Sequence, residues 1–253
     1  MSLAPLDIAK RAAAARALEM VEDGMTLGLG TGSTAGWFVR LLSERIRSPG
    51  LDVVGVATSS ATVWLAQELG VPLRKPDEVE AIDLTIDGAD EIDPGFNLIK
   101  GGGAALLQEK IIEAASKRLV VIADDSKAVP QLGAFPLPVE IVRFGWNLTH
   151  AAVVGLLETM PVAGRRIAVR KGSGGPLVTD EGHYILDLHL ERIDDPRALA
   201  TALNAIPGVV EHGLFIDMAT SAVLGRPDGT VDVLYRPGAE PGDIAEQMRN
   251  QDA

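Results

Sequence analysis

Four short segments of the chain carry residue types that chemistry needs. The first, Gly28-Leu29-Gly30-Thr31-Gly32-Ser33-Thr34, passes from an apolar run through glycines into a helical pattern that begins near Ser33. A helix start exposes unpaired backbone N–H groups and a partial positive charge, and glycines let an anion approach the backbone closely, so phosphate is the ligand such a turn would take. The spacing matches neither the G-x-G-x-x-G fingerprint of dinucleotide sites nor a Walker loop, and an ordinary Ser/Thr helix cap would also produce it.

The second, Ile86-Asp87-Gly88-Ala89-Asp90-Glu91-Ile92-Asp93, places four carboxylates at the end of a predicted strand. Carboxylates there could accept hydrogen bonds from sugar hydroxyls or hold a divalent cation, and the alternative is a solvated acidic turn. The third is Lys100-Gly101-Gly102-Gly103-Ala104, leading into Gln108-Glu109-Lys110. Three consecutive glycines are costly in entropy and are most simply explained by close backbone approach to a ligand, with Lys100 beside it. At about 100° per residue Glu109 lies about 40° from Glu113, while Leu107 and Ile111 form the opposite stripe, so the helical wheel alone puts both carboxylates on a polar surface face. The fourth, Val120-Val121-Ile122-Ala123-Asp124-Asp125-Ser126-Lys127, is another strand running into polar residues, from which Lys127 could reach an anion or simply sit in solvent.

The elements that must position these segments alternate. A helix is expected over Leu6 to Val21, a strand over Met25 to Leu29, a helix over Ser33 to Ile46, a strand over Leu51 to Val56 and a helix over Ser60 to Leu69. A strand over Ile82 to Ile86, a helix over Ala104 to Ser116 and a strand over Leu119 to Ile122 continue the series. Short apolar strands separated by helices predict a doubly wound, mainly parallel α/β sheet covered on both faces. All four segments then meet at the strand ends, the edge where ligands bind in such sheets.

Phe135-Pro136-Leu137-Pro138 interrupts the alternation. Beyond it the order is strand (Val139 to Arg143), helix (Leu148 to Met160), strand (Arg166 to Arg170), strand (His183 to Leu190), helix (Pro196 to Ala205) and a strand around Val209. That is a split βαβ, or ferredoxin-like, α+β arrangement. The expected division is an α/β catalytic domain over 1–135 and 212–240, a small inserted α+β domain over 136–211, and a tail over 241–253. Leu214 to Ile216, Ser221 to Leu224 and Val231 to Tyr235 are expected to be strands that rejoin the first sheet.

Composition narrows the function. The 253 residues are 47% hydrophobic and carry a formal net charge of −12, enough apolar surface for a packed core and the wrong sign for non-specific nucleic-acid binding. Cysteine is absent, which removes disulfides, thiolate nucleophiles and cysteine metal sites. Lys10, Arg11 and Arg16 fall where an export signal would need an apolar run, and the longest uncharged stretch, Gly24 to Val39, is too short and glycine-rich to span a bilayer. A cytoplasmic protein with no membrane partner is expected.

Together the segments carry a resemblance. GTGSTA at 30–35, DGADEID at 87–93, KGGGAAL with its following Glu-Lys at 100–110 and ADDSK at 123–127 resemble the type A family of ribose-5-phosphate isomerases. The likeness continues through Phe135 to Glu140, Val178-Thr179-Asp180 and Asn204 to Val210. It implies an aldose-ketose isomerisation of a sugar phosphate without metal or organic cofactor, carried out by a homodimer or homotetramer. By matching positions, it implies Glu109 as the proton-transferring base; the chemistry suits Lys100 beside the developing oxyanion and Asp87 in ring opening, with the division of labour between Asp87 and Asp90 left open by the sequence. Substrate would be lined by Thr31, Gly32, Ser33, Thr34, Asp87, Gly88, Ala89, Asp90, Lys100, Gly101, Gly102, Gly103 and Lys127. An enediolate route needs one carboxylate that can take and return a proton and a positive charge near the oxyanion, which Glu109 and Lys100 would supply.

Two other function classes compete. The effector domains of DeoR-type regulators are similar and would make the chain a sugar-phosphate sensor, but an acidic chain without a helix-turn-helix pair does not fit a DNA reader. Coenzyme A transferase chemistry on a related scaffold would use a glutamate nucleophile with an acyl substrate. His183, Asp187 and His189 share one face of a predicted strand and are explained by strand alternation without a metal. Lys171 to Gly175 is expected to be a hairpin connection, and Trp37, Trp64 and Trp146 packing residues.

Overall fold

The computed structural model describes residues 3–48 and 51–238; the tail expected over 241–253 lies outside them. The first part of the chain forms α1 (Pro5–Leu18), β1 (Thr26–Leu29), α2 (Ser33–Ile46), β2 (Val54–Ala57), α3 (Ser60–Leu69) and β3 (Leu84–Asp87). There follow β4 (Glu91–Ile92), β5 (Leu98–Ile99), α4 (Leu106–Ala114) and β6 (Leu119–Asp124). Next come β7 (Leu137–Ile141), α5 (Trp146–Leu157), β8 (Arg166–Val169), β9 (Lys171–Gly172), β10 (Gly175–Pro176), β11 (Tyr184–His189), α6 (Pro196–Asn204) and β12 (Val209–His212). The described chain closes with β13 (Leu214–Phe215), β14 (Ser221–Gly225) and β15 (Val231–Tyr235).

Six strands form the main sheet in the order β15-β14-β6-β3-β1-β2. All neighbours are parallel except the β14–β15 edge pair. This is the doubly wound, mainly parallel sheet that the alternation predicts. The chain leaves β1 for β2 on one side and returns to β3 on the other, so the strand order reverses between β1 and β3. A crevice opens at such a switch point, outside the carboxyl ends of the strands.

One face of the sheet presents Leu27, Leu29, Leu84, Ile86, Val120, Ile122 and Val223 to α1 and α2. Helix α1 begins with proline in its first turn, where no N–H is missed, and buries Ala9, Ala13, Ala14 and Ala17. Those small side chains bring its backbone close to β14: a Cβ on Gly225 would sit 1.9 Å from the Ala9 carbonyl oxygen. Helix α3 starts with Ser59 accepting from the Thr62 N–H and stops at Gly70 in the left-handed region.

The opposite face departs from the sequence expectation. Leu119, Val121 and Ala222 are covered there by Ile92, Phe96, Leu98 and Phe215. These side chains come from a second, three-stranded sheet ordered β13-β5-β4. The segment 214–216 therefore does not rejoin the first sheet as expected; β13 pairs antiparallel with β5, while β14 and β15 do rejoin. The acidic run is also more than a turn. Glu91 lies in β4, buried, and its carboxylate accepts the N–H groups of Gly133 and Phe135 at 2.7 and 2.6 Å, fixing the chain as it enters β7.

The remaining strands form an antiparallel sheet ordered β12-β7-β11-β8, the split βαβ arrangement, with β9 and β10 pairing as a small hairpin. Its core joins Val139, Ile141, Leu186 and Leu188 to Val153 and Leu157 of α5 and Leu199 and Leu203 of α6.

Candidate active site

The reversal between β1 and β3 brings two loops into contact. After β1, Gly30 donates its N–H to the Ile86 carbonyl and Thr31 donates its N–H to Asp87 Oδ1 at 3.0 Å. A Cβ on Gly30 would fall 2.2 Å from the Asp87 carboxylate, so only glycine permits the loops to lie this close. The Thr31 hydroxyl turns away, into a cluster with the hydroxyls of Thr58 and Ser59 at 2.8 Å and Thr62 at 3.2 Å. Gly32 precedes α2, whose first turn contains Ser33 and Thr34 and no acidic residue, leaving its N–H groups open to an anion.

The third loop folds against the second. Asp90 accepts the Gly102 N–H at 2.8 Å, and a Cβ on Gly102 would stand 2.7 Å from the same carboxylate. The loop ends at Ala104 with φ of 63°, a left-handed conformation uncommon for a side-chain-bearing residue, and α4 begins at Leu106. Arg170, from the segment after β8, donates to the carbonyls of Gly101 and Gly102 at 2.7 and 3.2 Å while paired with Asp187.

These loops enclose a cleft of about 170 Å³. Its walls are Thr31 to Thr34 on one side, Gly88, Ala89 and Asp90 on another, Lys100 to Gly103 and Glu109 on a third, and Lys127 with Asp124 at the rim. Every residue named from the sequence lines it except Asp87, which lies behind the wall with its Oδ1 occupied by the Thr31 and Gly88 N–H groups.

Below the floor sits a buried ion cluster. Lys100 is 2% exposed, Asp87 1%, Glu109 4% and Glu113 3%. Lys100 Nζ donates to the Gly88 carbonyl at 2.5 Å and stands 3.1 Å from Asp87 Oδ2, 3.1 Å from Glu113 Oε1 and 3.9 Å from Glu109 Oε2. Burial opposes the charge on Lys100, but the facing carboxylates of Asp87, Glu109 and Glu113 outweigh it and raise its pKa. Burial pushes Glu109 up to about 8 against the opposing pull of Lys100, with Asp87 and Asp90 adding to the rise. Asp90 is also raised, first by burial. The cleft thus joins a helix N-terminus at one end to a carboxyl of elevated basicity beside a fixed cation at the other.

The family profile for ribose 5-phosphate isomerase A (phosphoriboisomerase A) matches residues 54–229. The ribose-5-phosphate isomerase A of Cereibacter sphaeroides is 58% identical over 251 residues, covering 98% of this chain and 96% of that protein. The chain belongs to the ribose 5-phosphate isomerase A family. The ribose 5-phosphate isomerase of Plasmodium falciparum has a similar solved structure, with a TM-score of 0.86 and 37% identity over 91% of this chain and 99% of that one. A D-ribose-5-phosphate isomerase solved in complex with phospho-erythronic acid gives a TM-score of 0.83 and 42% identity, covering 90% of this chain and 97% of that one. The activity is therefore an isomerase's, interconverting ribose 5-phosphate and ribulose 5-phosphate, and the sensor alternative is not favoured.

The cleft and its surroundings also contain residues that the sequence did not single out. Lys10 of α1 reaches across to Ser33 Oγ at 3.0 Å and lines the cleft; nothing local in the α1 sequence separates it from a solvated lysine. Asp124 caps the short 3₁₀ turn that carries Lys127, accepting the Ser126 N–H. Glu113 is buried where the helical wheel put it in solvent. The His183 and Asp187 side chains are occupied by Glu140 and Arg170, and no group of three or more candidate ligands able to hold a metal occurs among the described residues.

Proposed function

We propose that the cleft binds open-chain ribose 5-phosphate with its phosphate on the N-terminus of α2, between Lys10 and Lys127, and its C1–C2 end against Glu109 and Lys100. The observation that carries this reading is the placement of Glu109 on the cleft wall with its Oε2 held 3.9 Å from the buried Lys100 Nζ. A phosphate dianion gains there from open N–H groups and two flexible cations.

Glu109 removes the C2 proton from the aldose, and electron density moves to O1 of the aldehyde, giving an enediolate. Lys100 stabilises the negative charge on the oxygens. The protonated Glu109 then returns its proton to C1, the O2 proton is surrendered as O1 gains one, and the ketose results with no net change in protons. A carboxyl whose pKa is raised by burial suits both steps, since it is a stronger base than an exposed glutamate and a usable acid near neutrality. Asp90, on the cleft wall, is placed to accept sugar hydroxyls and help open the ring. Asp87, behind the wall, holds Lys100. No step draws on a metal or an organic cofactor.

In this reading residues 1–135 and 212–240 act as the catalytic domain and 136–211 as the smaller one, which contributes Arg170 to the glycine loop. The chain is cytoplasmic, consistent with the absence of cysteine and of any described helix long and apolar enough to cross a membrane. It works as a homodimer or homotetramer, for which the exposed Phe144 and Leu148 beside the start of α5 offer an apolar contact surface. Light scattering on the purified chain tests the assembly. Turnover in deuterium oxide tests the chemistry: ribulose 5-phosphate should carry solvent deuterium at C1, and ribose lacking phosphate should be a far poorer substrate.

A further inference from the structure

Glu113 belongs to no role assigned above, yet it is among the most deeply buried carboxyls of the chain. It stands one helical turn after Glu109 with no accessible side-chain surface, and it does not line the cleft. The charged groups facing it are Lys100 and Asp87 from the two adjoining loops and Glu109 and Lys110 from its own helix. Three carboxylates around a single ammonium, all ionised, would leave two uncompensated negative charges in a site closed to water, a costly arrangement.

The hydrogen bonds indicate where the excess charge is removed. Asp87 Oδ1 accepts two backbone N–H groups, those of Thr31 and Gly88. Neither Glu113 oxygen has a hydrogen-bond partner, and neither does Asp87 Oδ2. The Glu113 and Asp87 carboxyls instead crowd one ammonium, each with an oxygen 3.1 Å from Lys100 Nζ. Lys100 Nζ donates one hydrogen bond, to the Gly88 carbonyl, so an ammonium with three N–H donors has these two carboxylate oxygens as its nearest further partners.

We propose that Glu113 is a positioning residue for the isomerisation: held as a neutral acid, it offers Lys100 an uncharged partner that the ammonium can release to the substrate oxyanion. An ionised Glu113 would bind the ammonium too tightly to release it, whereas a side chain with no acceptor would let Lys100 settle onto Asp87. The inference rests on the reading of Lys100 as the oxyanion partner. Glutamine in place of Glu113 keeps the neutral charge, the acceptor and the donor; leucine keeps only the volume.

The test compares Glu113→Gln and Glu113→Leu by kcat, KM and pH profile, with Lys100→Gln as the reference for the underlying reading. Glu113→Gln should retain kcat within about threefold. Glu113→Leu should lose about 10- to 100-fold in kcat with little change in KM, the cost of a misplaced catalytic group, and should shift the acid limb of the profile. Equal losses in the two variants would overturn the neutral-acid assignment, and a folded Glu113→Leu enzyme with unchanged kcat and pH profile would overturn the positioning role. If leucine prevents folding, infrared difference spectra of wild type against Glu113→Gln decide. A carbonyl stretch of a neutral carboxylic acid at neutral pH, lost in the variant, supports the proposal, and its absence contradicts it. A Lys100→Gln enzyme with normal turnover would instead remove the reading on which the inference stands.

Discussion

Lys100 Nζ and Glu109 Oε2 stand 3.9 Å apart, beyond a hydrogen bond but close enough for each charge to set the other's protonation. The pairing keeps the ammonium charged while leaving the carboxyl free to face the cleft. Lys100→Gln should therefore reduce kcat by about 10²- to 10³-fold, as expected for removal of one stabilising donor at an oxyanion. It should also move the acid limb of the pH profile upward, since Lys100 is the group that holds the Glu109 pKa down. Steady-state kinetics across pH measures both effects.

In the unaltered enzyme that limb should lie near 8, because burial raises Glu109 from 4.5 to about 8 and only its ionised form can take the C2 proton. The second ionisation of a phosphate monoester falls near 6, so the two are separable. Stability runs the other way. Between the ordinary carboxyl range and about pH 8 the folded state binds the Glu109 proton more tightly than the unfolded chain does. This group's contribution is complete at low pH and lost as pH rises through about 8. Denaturant titrations at several pH values should show the wild type losing stability over that window and Glu109→Gln losing less.

The glycine loop gives a steric prediction. A methyl group on Gly102 would meet Asp90 Oδ1 at 2.7 Å and press on the N–H bond that ties the two cleft walls together. Gly102→Ala should raise KM and lower kcat together, with a stability loss of about 1–3 kcal/mol typical of overpacking. Thermal melts and kinetics on one preparation separate the two contributions.

Much of this arrangement is legible in the residues. The alternation of apolar runs and helical spacing gives the parallel sheet because strands buried on both faces need no polar residues. The glycines, Lys100 and Asp90 announce a site because loops that approach each other so closely tolerate few other side chains. The helical wheel misleads at α4. It assigns Glu109 and Glu113 to solvent and Ile111 to the core, whereas both glutamates are buried and Ile111 is 56% exposed. Charge neutralisation by Lys100, 9 and 13 residues earlier in the chain, reverses the pattern, and no local rule detects a partner supplied by another loop. Strands of two residues, β4, β5 and β13, escape for a related reason, since their pairing is long-range and their periodicity too short to register. Lys10 is missed because its place on the cleft wall exists only once α1 lies beside α2.

Lys10 and Lys127 yield a prediction about binding. Each, changed to Ala, should raise KM for ribose 5-phosphate by about tenfold or more, the value of a charge-assisted hydrogen bond to phosphate, with a much smaller effect on kcat. The KM of the unaltered enzyme should rise with ionic strength, and less steeply in either variant. Initial rates over a salt series provide the check.

The central claim is that Glu109 carries the proton between C2 and C1. Glu109→Gln preserves size and hydrogen bonding while removing the basic carboxylate, so the direct measurement is its kcat together with solvent deuterium incorporation into the sugar phosphate. The account predicts a fall in kcat of about 10²- to 10⁴-fold, the range for lost general acid–base catalysis, with deuterium incorporation suppressed in parallel and binding of the sugar phosphate retained. Near-normal turnover with undiminished exchange in Glu109→Gln would contradict it and shift the search for the base to Asp90, the other carboxylate on the cleft wall with a raised pKa.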